Sequence, residues 1–231
     1  MKNKSLFAAT FFAVIAIALA LRICFFIESR DRAELYHPQH DAEIKQFWAQ
    51  AMVTGDYTIP PGKPNPFELW PQPTHPGYPW FMAAHYYLCG IHPAPILVTQ
   101  FIMGLGTMIL FFFLAYRLMG PIAALATMVL QTFYWIFPFM ESVYDQATLT
   151  NFFAVFTMVA LMHWLYAVSG KGERKNPANL IMPWVWIVFT GVALSFVFAN
   201  RAEIFPFLAF SWLWCLFLSF ITRGFRYAVA V

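Results

Sequence analysis

The sequence predicts an all-α polytopic membrane protein with about six transmembrane helices and a large first extracytoplasmic loop. Of its 231 residues 61% are hydrophobic and only 11% are charged, whereas soluble domains carry about 25% charged residues. Aromatic residues make up 20%, which is typical of membrane helices with interfacial belts. The predicted spans cover residues 6–27, 96–116, 121–139, 147–168, 180–199 and 204–222. Each is long enough to cross a hydrocarbon layer of about 30 Å, or nearly so.

The first span has two readings. Ala18-Leu19-Ala20 resembles a signal-peptide cleavage site. The apolar run continues past it to Ile27, so we favour an uncleaved anchor.

Charge distribution predicts a cytoplasmic N-terminus. With that orientation, eight of the fourteen basic residues fall in very short inner segments, as the positive-inside rule expects. Ten of the eleven acidic residues fall on the outer side or at its edge. Acidic residues determine topology only weakly, so we interpret their asymmetry as functional.

The first extracytoplasmic loop, residues 28–79, contains a predicted amphipathic helix. Its apolar stripe recurs with helical spacing at Ile44, Phe47, Trp48, Ala51 and Met52. Such a stripe beside a span predicts a helix lying in the membrane interface. We expect it to begin at Asp41 and to end at residues 54–56. Eight prolines from residue 59 to residue 79 then predict an irregular loop.

Asp41 and Glu43 are the first candidates for chemistry. A carboxylate here suits a general base or a ligand for a divalent cation. From the pattern alone, an N-cap for the following helix is the better explanation of Asp41. On a helical wheel the two carboxylates point in different directions, so one working aspartate is favoured over a two-carboxylate clamp.

Further candidates flank the predicted spans. Arg201 and Glu203 lie where the fifth span ends, and an arginine there suits a phosphate. Arg22 lies in the outer half of the first span, where it either reaches the interface or meets a carboxylate. Both arginines are also explained by snorkelling to the headgroups.

The remaining candidates lie between spans or in the proline-rich loop. Glu141 and Asp145 lie between the third and fourth spans and could face one outer cavity; a solvated turn is the alternative. His75 is a candidate donor to a phosphate or sugar hydroxyl, or a structural hydrogen-bonding residue. His37 and His40 have no diagnostic ligand spacing with Asp41, so we predict no metal site.

The order of these features resembles the GT-C membrane glycosyltransferases. Within them it is most similar to bacterial enzymes related to protein O-mannosyltransferases and aminoarabinose transferases. The similarity rests on short segments: Leu21-Arg22-Ile23, Asp41-Ala42-Glu43, His75-Pro76-Gly77-Tyr78-Pro79, Arg117-Leu118-Met119-Gly120 and Asn200-Arg201-Ala202-Glu203. Ala42 stands where the family often has a second acid, and Ala202 stands where it often has proline.

The resemblance implies transfer of a sugar from a polyprenyl-phosphate carrier to a glycan, lipid or protein acceptor. It places this activity at the outer face of the plasma (bacterial inner) membrane. It implies Asp41 as base, a cation for the departing phosphate and inversion at the anomeric carbon. It leaves a divalent cation open. Family members are usually longer, so residues 1–231 are expected to be one membrane-embedded module and the N-terminal part of a longer enzyme.

Two other classes remain open beside the enzyme: a transporter or lipid-handling protein, and a non-catalytic membrane subunit. A transporter is expected to place polar groups or broken helices near the bilayer midplane. The predicted spans are mostly apolar, which favours chemistry at the surface. No phosphate-binding glycine loop or zinc motif is found, and neither a soluble nucleotide nor a nucleic acid is an expected partner.

Overall fold

The computed structural model describes residues 2–59, 75–168 and 178–201, with single residues at 61, 65, 210 and 213. These described residues form nine helices and no strand. In chain order the helices are α1 (Lys2–Ser29), α2 (Ala33–Tyr36), α3 (Asp41–Thr54), α4 (Gly77–Cys89), α5 (Pro93–Met119), α6 (Pro121–Phe133), α7 (Ile136–Glu141), α8 (Ala147–Val168) and α9 (Ala178–Asn200).

Three segments in the described part of the chain are long and apolar enough to cross a membrane. They are Ser5–Ser29 in α1, Pro93–Met119 in α5 and Ala147–Trp164 in α8. Pro121–Phe133 and Val188–Asn200 are shorter apolar helices. The all-α class is therefore confirmed for the described residues, and three helices are candidate membrane spans; six spans are not confirmed. The predicted span at residues 204–222 lies outside the described residues except for two positions.

The predicted third span, residues 121–139, is wrong as one continuous helix. The chain forms α6, leaves helical geometry at Tyr134 and resumes as α7. Tyr134 has φ −80° and ψ 90°. Pro138 explains the break, because its ring would clash with the carbonyl of Tyr134 one turn earlier and it lacks an N–H to bind that carbonyl.

Helices α1 and α5 run antiparallel. Near one end of α1, Phe26 meets Phe101 of α5, with ring centroids 6.3 Å apart. Near the other end, Phe11 meets Phe112 at 4.8 Å. Helices α8 and α9 are likewise antiparallel, as shown by the stacked rings of Phe153 and the more C-terminal Phe196, 4.6 Å apart. The C-terminal ends of α1 and α9 and the N-terminal ends of α5 and α8 therefore share one end of the bundle, the polar end.

Two apolar clusters lie along the bundle. The cluster near the polar end contains Leu35, Ala49, Tyr78, Met82, Tyr86, Ile96, Leu97, Phe101, Tyr144 and Leu149. The second, nearer the start of α1, contains Val14, Ala18, Met108, Phe112, Ala124 and Met128. Helix α3 packs against α4 and buries Trp48, Ala49 and Ala51. This confirms the predicted helix and its bounds; its position relative to a bilayer stays a prediction.

Candidate functional site

Four charged side chains from three parts of the chain lie at the polar end, where three of them act electrostatically on the fourth, Lys45. Lys45 on α3 interacts electrostatically with Asp145, Asp41 and Arg201. We call these four residues the charged cluster. Asp41 and Arg201 are exposed, whereas Lys45 and Asp145 are half-buried. The structure thus brings together three sequence-predicted candidates and adds a lysine that the sequence reading left out.

Asp41 is the first residue of α3, and its side chain is exposed. The N-cap position belongs to His40, whose side chain makes no capping hydrogen bond. The helix-cap explanation of Asp41 is therefore not what the structure shows. His40 has φ 55° and ψ −132° and is the one described non-glycine residue with positive φ. Such a conformation costs on the order of 1–3 kcal/mol, and here it directly precedes Asp41.

Lys45 lies one helical turn after Asp41, over the ring of Tyr78. Its Nζ is 5.6 Å from the ring centroid, a cation–π distance. Burial lowers the pKa of Lys45; Asp145 and Asp41 oppose this change, and Arg201 adds to it. Because Lys45 is half-buried, its ammonium group attracts an added anion through a lower effective dielectric than that of bulk water.

Gly77 allows the end of α9 to approach the first turn of α4. A Cβ atom at Gly77 would lie 2.7 Å from Nδ2 of Asn200 and 3.0 Å from the carbonyl carbon of Ala199. Asn200 is completely buried, and its Nδ2 donates to the carbonyl of Phe196. Arg201 follows directly and bonds through its own N–H to the carbonyl of Val197. Glycine at 77 therefore helps to set the place of Arg201.

A buried glutamine fixes the loop that carries Asp145. Nε2 of Gln100 donates to the carbonyls of Glu141 at 2.7 Å and Val143 at 2.9 Å. Its Oε1 accepts a hydrogen bond from the Tyr78 hydroxyl. Burial raises the pKa of the Tyr78 phenol well above its usual value, so that hydroxyl remains a donor. Asp145 Oδ1 also accepts from the N–H of Ala147, 2.6 Å away, at the start of α8.

Arg22 and Glu141 form a buried bidentate ion pair between the two apolar clusters. Nε and Nη2 of Arg22 donate to the two carboxylate oxygens of Glu141, each at 2.7 Å. Both side chains are 4% exposed. Glu141 packs directly against α5 at Gly104, where an added Cβ atom would lie 1.9 Å from Oε1. Of the two roles open to Arg22, meeting a carboxylate is the one observed.

A cavity of about 130 Å³ adjoins this ion pair. It lies between α1, α5, α6, α7 and α8. Glu141 lines it, but Asp145 does not. The prediction that these two acids face one cavity is therefore wrong. Glu141 lies inside the bundle, and Asp145 lies in the charged cluster.

The other predicted site residues lie elsewhere. Glu43 is half-buried on α3 and does not join the contacts described for Lys45. His75 is half-buried in the turn before α4. Glu203 lies outside the described residues. Among the residues that the structure describes, no group of three or more His, Cys, Asp or Glu side chains could hold a metal ion.

Lys45 and Gln100 are the site residues that the sequence reading missed. A signal for each was present. Lys45 lies four residues after Asp41, the spacing at which side chains on a helix face each other. Gln100 is a lone amide in an otherwise apolar span, where a polar group needs a partner.

No family model, curated protein or solved structure matches the chain. The similarity to GT-C glycosyltransferases noted from the short segments stays a prediction.

Proposed function

We propose that the protein is a glycosyltransferase that moves a sugar from a polyprenyl-phosphate carrier to an acceptor at the outer face of the membrane. The charged cluster is the observation that supports this most. Two carboxylates and a second cation lie within electrostatic range of Lys45, at one end of a bundle that contains three candidate membrane-spanning helices. A lipid-linked sugar presents its phosphate and its reactive carbon at such a boundary. Cations there can bind the phosphate, and a carboxylate there can act as the base.

The cations suit the leaving group. When the bond between the anomeric carbon and the phosphate oxygen breaks, a phosphodiester with one negative charge becomes a phosphomonoester with two. Groups that bind the second charge more tightly than the first lower the barrier. Arg201 and Lys45 are assigned this role. Arg22 is not, because Glu141 already accepts from two of its nitrogens.

Asp41 suits the acceptor. Its carboxylate takes the proton from the attacking hydroxyl or amine while that atom forms its bond to the anomeric carbon. The exposed position of Asp41 leaves room for an acceptor. Oδ1 of Asp145 already accepts a hydrogen bond from the N–H of Ala147, so Asp145 is not assigned to proton transfer.

The test is transfer from a radiolabelled polyprenyl-phosphate sugar by the purified full chain in lipid vesicles with a panel of glycan, lipid and peptide acceptors. We expect a labelled acceptor from the unmodified chain. Asp41→Asn should reduce transfer about 100-fold or more, the range for loss of a general base. Asp56→Asn is the matched control, because Asp56 is also an exposed acid of the first loop. Equal activity of the two variants would remove Asp41 from the mechanism.

A transporter or lipid-handling protein is the second candidate, and one observation favours it. The buried Arg22–Glu141 pair and the break at Tyr134 lie beside a cavity between candidate spans, features that transporters often place within the membrane. Movement of the labelled lipid between the leaflets of sealed vesicles, without any labelled acceptor, would support this candidate against the enzyme.

A further inference from the structure

Helix α4 presents a continuous apolar face that no described element covers. Its exposed residues recur with helical spacing at Trp80, Ala84, Tyr87 and Leu88. We call these four residues the open face. Tyr87 is 79% exposed and Leu88 is 78% exposed, so this face is uncovered along its length. A contiguous exposed apolar surface marks a contact with a protein or with a membrane.

The opposite face of α4 is occupied. It buries Tyr78, Met82 and Tyr86 in the apolar cluster near the polar end, and α3 packs against it. The apolar stripe that predicted an interfacial position for α3 is largely taken up by this packing, since Trp48 and Ala51 are buried. Of these two helices, α4 is therefore the one with an apolar face left uncovered.

Charge is absent from α4 and from the chain around it. No Asp, Glu, Lys or Arg stands between Glu68 and Arg117, a stretch longer than the roughly 20 residues of one span. The candidate span in α5 accounts only for its later part. Helix α4 has 13 residues and is about 20 Å long, too short to cross a hydrocarbon layer of about 30 Å. An uncharged helix of this length fits within one leaflet, and the Trp and Tyr of the open face suit the membrane–water boundary.

The open face lies beside the exposed face of a candidate span. Helices α4 and α5 touch where Nε2 of His85 lies 2.8 Å from Oγ1 of Thr99. Within one helical turn of this contact, Leu88 on α4 is exposed, and so are Val98 and Ile102 on α5. Because α5 is long and apolar enough to cross a membrane, lipid around its exposed face is also within reach of α4.

We propose that α4 lies in one leaflet at the polar end, with the open face among the acyl chains of membrane lipids. Its opposite face carries Tyr78, whose ring lies 5.6 Å from Nζ of Lys45. Lipid contact on one side of α4 therefore fixes the depth of the charged cluster at the membrane boundary. The contact needs no anionic lipid, because α4 contains no charged residue. The proposal does not rest on sugar transfer.

The test is the depth of single spin labels in the full chain, reconstituted in phosphatidylcholine vesicles. Leu88→Cys and Ala84→Cys each place one label on the open face, in a chain whose native cysteines are replaced by alanine. Oxygen concentrates in hydrocarbon and a nickel chelate stays in water, so their relative collision rates with the label report its depth. We expect both labels about 5–10 Å below the headgroups, with oxygen collisions dominant. Two positions are used so that the result does not depend on one variant.

Two further labels calibrate this depth. Native Cys24, kept as the one cysteine, is exposed on α1, and its label should lie in the hydrocarbon because α1 contains a candidate span. Thr54→Cys places an exposed label at the end of α3, where collisions with the nickel chelate should dominate.

Two results would overturn the proposal. In the first, the labels on the open face behave like the Thr54→Cys label while the Cys24 label lies in the hydrocarbon, which would place α4 in water. In the second, both labels on the open face are protected from oxygen and from the nickel chelate, which would mean that a protein surface covers them. The readout is depth, so it is independent of whether the protein transfers sugar.

Discussion

The charged cluster and the buried ion pair use the same kinds of side chain in opposite ways. Arg22 and Glu141 bind each other through two hydrogen bonds, and both side chains are almost completely buried. In the charged cluster, Asp41 and Arg201 are exposed and Lys45 and Asp145 only half-buried. A saturated pair can hold helices together, but it has nothing left to offer a substrate. An unsaturated set can bind and react because its charges still have room for partners.

Breaking the buried pair should have the largest effect. Arg22→Met leaves the Glu141 carboxylate buried without its counter-ion, which costs about 3–5 kcal/mol. The double variant Arg22→Met/Glu141→Met replaces both charges with apolar groups and should recover most of that loss. The measurement is the midpoint of thermal unfolding in detergent. If the single variant is as stable as the unmodified chain, the pair does not hold the bundle.

Replacing Gln100, which lies between the charged cluster and the buried ion pair, should have the second largest effect on stability. Gln100→Leu strands the buried Tyr78 hydroxyl and two backbone carbonyls, at about 1–3 kcal/mol for each group left without a partner. Unfolding midpoints measure the loss. Gln100→Glu keeps the side-chain volume but replaces the donating Nε2 with an oxygen, which would face the carbonyls of Glu141 and Val143. We therefore expect this variant to be less stable as well. A stable Gln100→Glu would contradict the network.

Lys45 should matter for donor binding and for its pH dependence. Lys45→Gln removes a cation and should raise the donor KM about tenfold or more. The ammonium is charged below its pKa, so donor affinity should fall as pH rises through that pKa, which burial places below the value of a free lysine. Lys45→Arg stays charged and should lose this alkaline decline. If Lys45→Arg shows the same fall in donor affinity at high pH, a group other than Lys45 causes it.

Relieving the backbone strain at His40, which has a positive φ, should have the smallest effect on stability. Glycine adopts positive φ without steric cost, so His40→Gly should gain about 1 kcal/mol of folding free energy, reduced by the greater freedom of glycine in the unfolded chain. Gln39→Gly, at the exposed neighbouring position, is the control and should show only that reduction. A loss of stability in His40→Gly larger than that of the control would mean that the imidazole itself matters.

Local pattern predicted α3 well, because an apolar stripe and a glycine stop signal are both short-range. The break at Tyr134 was missed, although Pro138 carried the signal, because overall hydrophobicity outweighed it. Asp41, Asp145 and Arg201 were found as separate candidates from their places beside spans. Their meeting with Lys45, and the pairing of Arg22 with Glu141 119 residues away, depend on helix packing that spacing along the chain does not encode.

The most direct test of this comparison is kcat/KM for sugar transfer in two variants measured side by side, Asp41→Asn and Arg22→Met/Glu141→Met. We predict that Asp41→Asn loses about 100-fold or more with an unchanged unfolding midpoint, because Asp41 is exposed. The double variant should keep transfer within a few-fold. Transfer that survives in Asp41→Asn but is lost in a well-folded double variant would contradict the account and place the chemistry at the buried pair.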